Sequence, residues 1–520
     1  MCRRNVLKLN RLKKLVLFLF LSIGLSPAYA VEKDFKVKGF HLDLRSQVMT
    51  MPALKAFAKE LADYKINTLV MEWEATFPYD DNATISNQYS YKPDEVKDFI
   101  AYCTTLGIDV IPIHHCFGHV EWILRHDRYR HISEDRKEVS QVCPMKVHDA
   151  VPIFKSMFRE LVAYHPSQYF HIGGDETYLL GSCDECQVKV NEEGKSKLFV
   201  DYVKAMCEIV TELGKIPVLW ADVILKYPEA IADMPDNLIY VDWNYGWKIN
   251  HFGDMKKLYD AGATMWGAPS IRSSPDNMNL TTWLTHFNNQ RDFIPYSREN
   301  GYEGIIMTSW STSGLYSFKY DRGWEIQDME QVRNVYPLNG FRILLAAYGK
   351  SVNQTEPLNP EKFVVEYAQD RFGLSEKEGY ALWEVLKDRQ DIVHSGKNAK
   401  GATAADMLQQ ATLMRDKLYT LKPKNNKTEF EHFKLMFDIR VNYLKFKALE
   451  SIYQSEDYSR LKAKELLSGI NEIIKTELKL DKRFVSLQKG FITDREIAHQ
   501  NEIRKRKMFV VRDFLSKQIH

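Results

Sequence analysis

The chain predicts an α/β fold, a (β/α)8 TIM-type barrel followed by a C-terminal α-helical domain. Between Lys36 and Trp310, eight short β-leaning runs alternate with helical patterns, the signature of a parallel sheet wrapped by helices. Each run ends in polar or aromatic residues, as expected where chemistry collects at the C-terminal mouth of a barrel; an open doubly wound sheet gives no reason for this at every strand. Beyond about Asn353 the alternation stops, glycine and proline thin out after Gly401, and apolar residues step by three or four. The expected layout is a leader over 1–30, a barrel over 36–345 and a helical domain over 355–520.

The strands are expected at Val37–Leu44, Thr68–Trp73, Asp109–His114, Gln168–Ile172, Ile216–Trp220, Leu238–Trp243, Ala263–Trp266 and Gly304–Ser309. The first delivers His41, Asp43 and Arg45 to its end. The second delivers Glu72 and Glu74, which strand alternation puts on one side, either to hold ligand hydroxyls or to form a buried ion pair with Arg45. The third gives His114 and His115, then His119 and Glu121 on the following loop, for hydrogen bonding ahead of metal binding. The fifth and sixth end in Trp220 and Asp222 and in Trp243 and Tyr245. After Trp310, residues 311–314 read as a small polar loop. In the helical domain, Phe430, Phe433, Phe437, Val441, Leu444 and Ala448 share one helical face, and the alternating charges of the last hundred residues read as the solvated sides of amphipathic helices.

The fourth strand carries the most chemistry. His171-Ile172-Gly173-Gly174-Asp175-Glu176 places two adjacent carboxylates where an apolar strand becomes a loop, behind two glycines that allow close approach of a ligand. Paired carboxylates repel, so one tends to keep its proton while the other stays charged, the division of labour that glycoside hydrolysis requires. The plainer reading has Asp175 capping a helix and Glu176 merely solvated. Sequence neighbours do not readily face each other across a scissile bond. Adjacency therefore fits a substrate that supplies its own nucleophile, the carbonyl oxygen of a 2-acetamido group.

Composition narrows the class. Arg3, Arg4, Lys8, Arg11, Lys13 and Lys14 precede an apolar run, Leu15 to Leu25, and Ala28-Tyr29-Ala30 gives an A-x-A cleavage pattern, together a secretory leader too short for an ordinary spanning helix. Export follows, to a periplasm, the medium or the cell surface. The chain's net charge is +2, and removing those six positive charges leaves −4, so nucleic acid is not implied. No phosphate loop or dinucleotide fingerprint appears. Six cysteines follow the leader. Cys183-Asp184-Glu185-Cys186 reads as a structural bridge or free thiols ahead of a metal site, because zinc would need two more ligands that Cys143, Cys116 or His148 supply only if folding brings them there.

The His171–Glu176 run resembles the signature of glycoside hydrolase family 20, the β-N-acetylhexosaminidases. Leu69-Val70-Met71-Glu72-Trp73-Glu74, Phe77-Pro78-Tyr79, Ile111-Pro112-Ile113 and Phe117-Gly118-His119-Val120-Glu121-Trp122 resemble its hexosaminidase D branch in wording and order. The likeness runs from about Val37 to about Trp310. It implies that Asp175 positions the acetamido group and Glu176 is the general acid/base. It also implies that Trp220, Trp243, Trp266 and Trp310 form an indole cage and that Tyr245 bonds the acetamido carbonyl. Asp43, Arg45, Glu72, Glu74, His119 and Asp222 complete the expected substrate-binding set, although the family spaces its Asp and Arg by three residues and this chain spaces Asp43 and Arg45 by two.

The expected function is thus an exported, exo-acting, retaining β-N-acetylhexosaminidase that removes terminal GlcNAc or GalNAc from glycans through an oxazolinium intermediate, with no cofactor and no metal. Two rivals stand beside it. One is a barrel glycosidase on other sugars using an enzyme carboxylate nucleophile, with Glu72, Glu74 or Asp222 available; the other is a non-catalytic glycan-binding protein, which would have no use for an acid.

Overall fold

The computed structural model describes residues 34–273, 276–312, 316–320, 327–331, 334–456 and 458–519. The expected leader and the second half of the loop expected at 311–314 lie outside these residues. Phe35–His520 form one compact unit.

Eight parallel strands make the barrel: β1 Val37–Asp43, β2 Thr68–Glu72, β3 Asp109–Pro112, β4 Tyr169–His171, β5 Ile216–Trp220, β6 Ile239–Trp243, β7 Thr264–Ala268 and β8 Gly304–Ser309. Hydrogen bonding runs in the order β3-β2-β1-β8-β7-β6-β5-β4. The ring closes between β3 and β4 through a single bridge, Ile113 with His171, where the His114 N–H donates to the His171 carbonyl at 2.9 Å. All eight expected strands are present, with ends displaced by a few residues at most. Sequence reading did not place a short strand, Ser270–Arg272, which pairs with β8, or a two-stranded hairpin, Tyr316–Tyr320 with Gln327–Gln331.

Strand alternation sorts the side chains into two environments. Phe40, Leu42, Leu69, Met71 and Leu219 face out and join the large core beneath the surrounding helices. Val37, Val70, Ile111, Val218, Ile239, Val241, Trp266 and Ile306 face in and fill the barrel. Further up the same inward rows stand His41, Asp43, Glu72, His171, Trp220 and Trp243, so the apolar filling supports a polar and aromatic mouth.

After Val352 the named elements are all helices, from Pro360–Phe372 to Asp494–Ile519. Lys427–Tyr453 buries the expected residues from Phe430 to Leu444, but Leu435, Ile439, Arg440 and Asn442 are buried too, so this helix is enclosed on several faces. The helical region is tied to the barrel: the Gln47 N–H donates to Glu496 Oε2 at 2.9 Å, and Tyr336 Oη lies 2.9 Å from His432 Nδ1. No helix among the described residues is long and apolar enough to cross a membrane.

Candidate active site

A pocket of about 660 Å³ opens at the C-terminal mouth of the barrel. Trp220, Trp243, Tyr245, Trp247 and Trp310 form its aromatic wall; Arg45, His119, Asp175, Glu176 and Ser273 form its polar side. Among the described residues lining it, Asp175 and Glu176 are the only carboxylates.

Backbone geometry puts that pair there. Gly173 and Gly174 turn the chain with φ of +73° and +90°. A Cβ on the first would lie 2.4 Å from His115 Nδ1, and one on the second 2.3 Å from Leu219 Cδ1, so only glycine allows the turn to sit this close to β3 and β5. Glu176 itself takes φ +48° and His119 φ +56°, left-handed backbone that side-chain-bearing residues seldom adopt and that often marks functional sites. Asp222 holds the turn by accepting the Glu176 N–H at Oδ2 (3.2 Å) and the Trp243 indole N–H at Oδ1 (3.3 Å).

His119 Nε2 lies 3.3 Å from both Asp175 Oδ2 and Glu176 Oε2. Burial pushes the Asp175 carboxyl upward, but the charge and hydrogen bond of His119, with help from His115, hold it at about 2. Burial pulls His119 down, yet Asp175 and Glu176 raise it well above the usual imidazole range. The Asp175 carboxylate and the His119 imidazolium are therefore both charged at neutral pH. Asp175 Oδ1 faces His115 Nδ1 at 3.5 Å and, though buried, accepts no hydrogen bond. Side-chain exposure is 11% for Asp175 and 26% for Glu176, so the second carboxylate is the more open.

A second layer of charge lies behind. Glu72, fully buried, accepts from His41 (2.7 Å) and His115 (3.1 Å) and faces Arg45 Nε at 3.2 Å. Burial would raise its pKa, but Arg45 and the two histidines hold it well below the carboxylate range. Arg45 makes a fork to Asp43 at 3.1 Å on both arms and packs over Trp310 at 5.2 Å. Asp43 also accepts the Ser311 N–H at 2.8 Å. Glu74 leaves the strand row because the chain turns into a 3-10 segment at Glu74–Thr76, with Glu74 at φ +42°. It lies 3.9 Å from Arg45 Nε, and burial pushes it well above the carboxylate range.

These positions correct several expectations. Of the two roles open to Glu72 and Glu74, the ion-pair arrangement with Arg45 is the one found, and neither lines the pocket; nor do Asp43 and Asp222, which position residues that do. Trp266 is fully buried low in the barrel, edge-on to Tyr169 at 5.0 Å, because its place in mid-strand β7 keeps it below the mouth. His114 turns away, with Nδ1 2.8 Å from the His115 carbonyl and burial holding it neutral with a pKa of about 3. Glu121 is buried outside the pocket, where burial pushes its pKa to about 7. Trp247 and Ser273 line the pocket without having been expected. Trp247 was legible in principle, since Asn244 caps its N–H at 3.1 Å in a turn continuing directly from Trp243 and Tyr245; Ser273 carries no such signal.

Among the described residues, two groups of side chains converge closely enough to ligate a metal. Glu72, Glu74 and His115 surround Arg45, whose guanidinium already supplies the positive charge. Glu134, Cys143, Cys183 and Cys186 form the other, outside the pocket lining.

Residues 35–265 match the glycosyl hydrolase family 20 catalytic domain. Over that span the chain is similar to family 20 glycoside hydrolases. Hexosaminidase D of Bos taurus is 24% identical over 287 residues, covering 52% of this chain and 83% of that protein. Hexosaminidase D of Homo sapiens is 25% identical over 304 residues, covering 54% of this chain but only 62% of its own length. A solved β-N-acetylhexosaminidase from Bacteroides fragilis is 17% identical, covers 64% of this chain and 69% of that one, and superposes with a TM-score of 0.47. The matched span ends within β7, so the family 20 domain is recognised by the strands that carry Arg45, His119, Asp175, Glu176, Trp220 and Trp243.

Proposed function

We propose that this family 20 protein is an exo-acting, retaining β-N-acetylhexosaminidase that releases terminal GlcNAc or GalNAc with the substrate's own acetamido group as nucleophile. The observation that carries this is the single-sided placement of the pocket's carboxylates. Among the described residues Asp175 and Glu176 line one wall, while Glu72 and Glu74 surround Arg45 and Asp222 is engaged by the Glu176 N–H and the Trp243 indole. An enzyme-nucleophile mechanism needs a second carboxylate about 5 Å from the acid across the bond.

In the proposed reaction the acetamido carbonyl oxygen attacks the anomeric carbon as Glu176 gives its proton to the departing oxygen. Positive charge then spreads over the new oxazolinium ring. Asp175, kept ionised by His119 and carrying the unpartnered Oδ1, accepts the acetamido N–H and stabilises that charge in a buried setting. Tyr245 receives the Trp310 indole N–H at 2.7 Å, and burial keeps its own proton on, leaving that proton to orient the carbonyl oxygen. Glu176, now a carboxylate, takes a proton from water, which opens the ring with net retention. The indoles exclude competing water and stack on the sugar. Residues 1–30 support export, and the N-terminal sequence of protein recovered outside the cytoplasm tests it.

Aryl β-GlcNAc, β-GalNAc and β-glucoside substrates assayed side by side test the chemistry. Cleavage confined to the acetamido sugars is expected. Equal cleavage of the glucoside, or a glycosyl group trapped covalently on a carboxylate of the protein, would overturn it.

A further inference from the structure

Three sulfur atoms and one carboxylate meet beside the active-site loops. Cys143 Sγ lies 3.5 Å from Cys186 Sγ and 3.6 Å from Cys183 Sγ, and Cys186 Sγ lies 3.3 Å from Glu134 Oε2. Tetrahedral zinc, with bonds of about 2.3 Å to sulfur and 2.0 Å to oxygen, sets its ligands roughly 3.8 Å (S to S) and 3.5 Å (S to O) apart. The four atoms are thus spaced nearly as such a site requires. Cys143 and Cys186 are fully buried, Glu134 is buried and Cys183 is half-buried, so most of the cluster is screened from solvent.

Its surroundings are organised as metal-site surroundings are. Glu134 Oε1 accepts the backbone N–H groups of Ser182 and Cys183 at 2.7 and 2.8 Å, which leaves Oε2 directed at the sulfurs. Cys183 Sγ accepts the Cys186 N–H at 3.4 Å as the N-cap of the helix Asp184–Glu193. Bonds of this kind orient ligands and offset thiolate charge. A disulfide between any two of the cysteines would leave the third thiol facing Glu134 with no role.

We propose that Cys143, Cys183, Cys186 and Glu134 hold a structural zinc ion that pins together the two loops presenting His119 and the Asp175–Glu176 pair. The C-x-x-C alone reads as a bridge or free thiols; folding adds Cys143 and Glu134, while Cys116 points instead to the Ile172 carbonyl. On binding, the three thiols release their protons to solvent and their sulfurs become ligands, with no change of oxidation state. Glu134 and Cys143 lie on a hairpin that pairs with the His119 loop, through Val142 N–H to the Phe117 carbonyl (2.9 Å) and Val120 N–H to the Ser140 carbonyl (3.3 Å). Cys183 and Cys186 follow Glu176 on the other loop. Gln141 Oε1, accepting the Leu179 N–H at 2.9 Å, is a further side-chain tie between the two.

The test needs no substrate, so its outcome is independent of the proposed activity. Protein purified without a polyhistidine tag or chelator should contain one zinc per chain by elemental analysis, released to a colorimetric chelator only after the thiols are blocked with a mercurial. Co2+ in its place should show thiolate-to-cobalt charge transfer and tetrahedral d–d bands. Cys143→Ser should lose the zinc; Glu134→Gln, which keeps acceptors for Ser182 and Cys183, should weaken zinc binding by at least ~10-fold. If the cysteine variant does not fold, metal content and the cobalt spectrum of the unaltered chain decide the matter. Chain lacking stoichiometric zinc, or with two of the three cysteines oxidised to a disulfide by mass, overturns the assignment.

Discussion

His119 Nε2 lies 3.3 Å from Asp175 Oδ2, and each residue sets the charge of the other. The imidazolium keeps the carboxylate ionised in spite of burial. The carboxylate, with Glu176, keeps the imidazole protonated in spite of the same burial.

His119→Asn tests that dependence while retaining a side chain tolerant of left-handed backbone. Without the imidazolium, burial dominates and the Asp175 pKa climbs from about 2. The acid limb of kcat/KM should therefore move to higher pH. At neutral pH, loss of a charge-assisted hydrogen bond of ~1.5–3 kcal/mol should cost about 10- to 100-fold. An acid limb that stays in place would refute the coupling.

Asp175→Asn removes the ionised partner of the proposed oxazolinium. The expected result is a kcat lower by ~10²–10³ with little change in KM, as for an interaction made chiefly in the transition state. A thiazoline analogue of the ring should lose much of its inhibition. The His119 imidazole, relieved of one of its two carboxylate neighbours at 3.3 Å, should titrate at lower pH by NMR. In the native chain the stability owed to this pair is full between the ordinary Asp pKa of 3.8 and the ordinary His pKa of 6.5, fades as pH falls through about 2, and on the alkaline side is lost as pH rises through the raised His119 value.

For Glu176→Gln the leaving group decides the size of the defect. Loss of general-acid help should cost ~10²–10⁴ on natural glycans, whose departing oxygen is basic, and far less on dinitrophenyl glycosides. Equal losses on both would remove Glu176 from the acid role.

Glu72→Gln probes the buried charge layer. With its three partners left short of negative charge, the chain should lose ~3–5 kcal/mol of stability, read from denaturant unfolding. Because the native Glu72 pKa is depressed, its contribution is present above the ordinary value of 4.5 and disappears as pH falls toward the lowered one. The variant's stability should accordingly depend less on pH across that acidic range.

The barrel and the proposed catalytic pair were legible in the sequence for separate reasons. Strands such as Val37–Asp43 and Ile239–Trp243 are buried on both faces and read as continuous apolar runs with flanking turns. Asp175 and Glu176 were legible because two glycines after an apolar strand favour a ligand-facing turn over a helix cap. What escaped depends on contacts distant in sequence. Glu134 stands 52 residues from Cys186, so nothing local to the C-x-x-C announces it. Glu74 departs from alternation because the strand ends one residue sooner than its apolar pattern suggests, and Trp266 differs from Trp243 only in its height along a strand.

The single bridge between β3 and β4 makes the barrel mechanically two-sided. Strand β4 is laddered to β5 alone, so Asp175, Glu176, Trp220 and Trp243 ride with one bank of strands, while Arg45 and His119 ride with the other. A sugar gripped from both banks spans this seam and acts as a suture across it. Occupancy would then stiffen the ring where its own backbone joins it least, and the empty barrel would breathe at the place where it must admit its ligand.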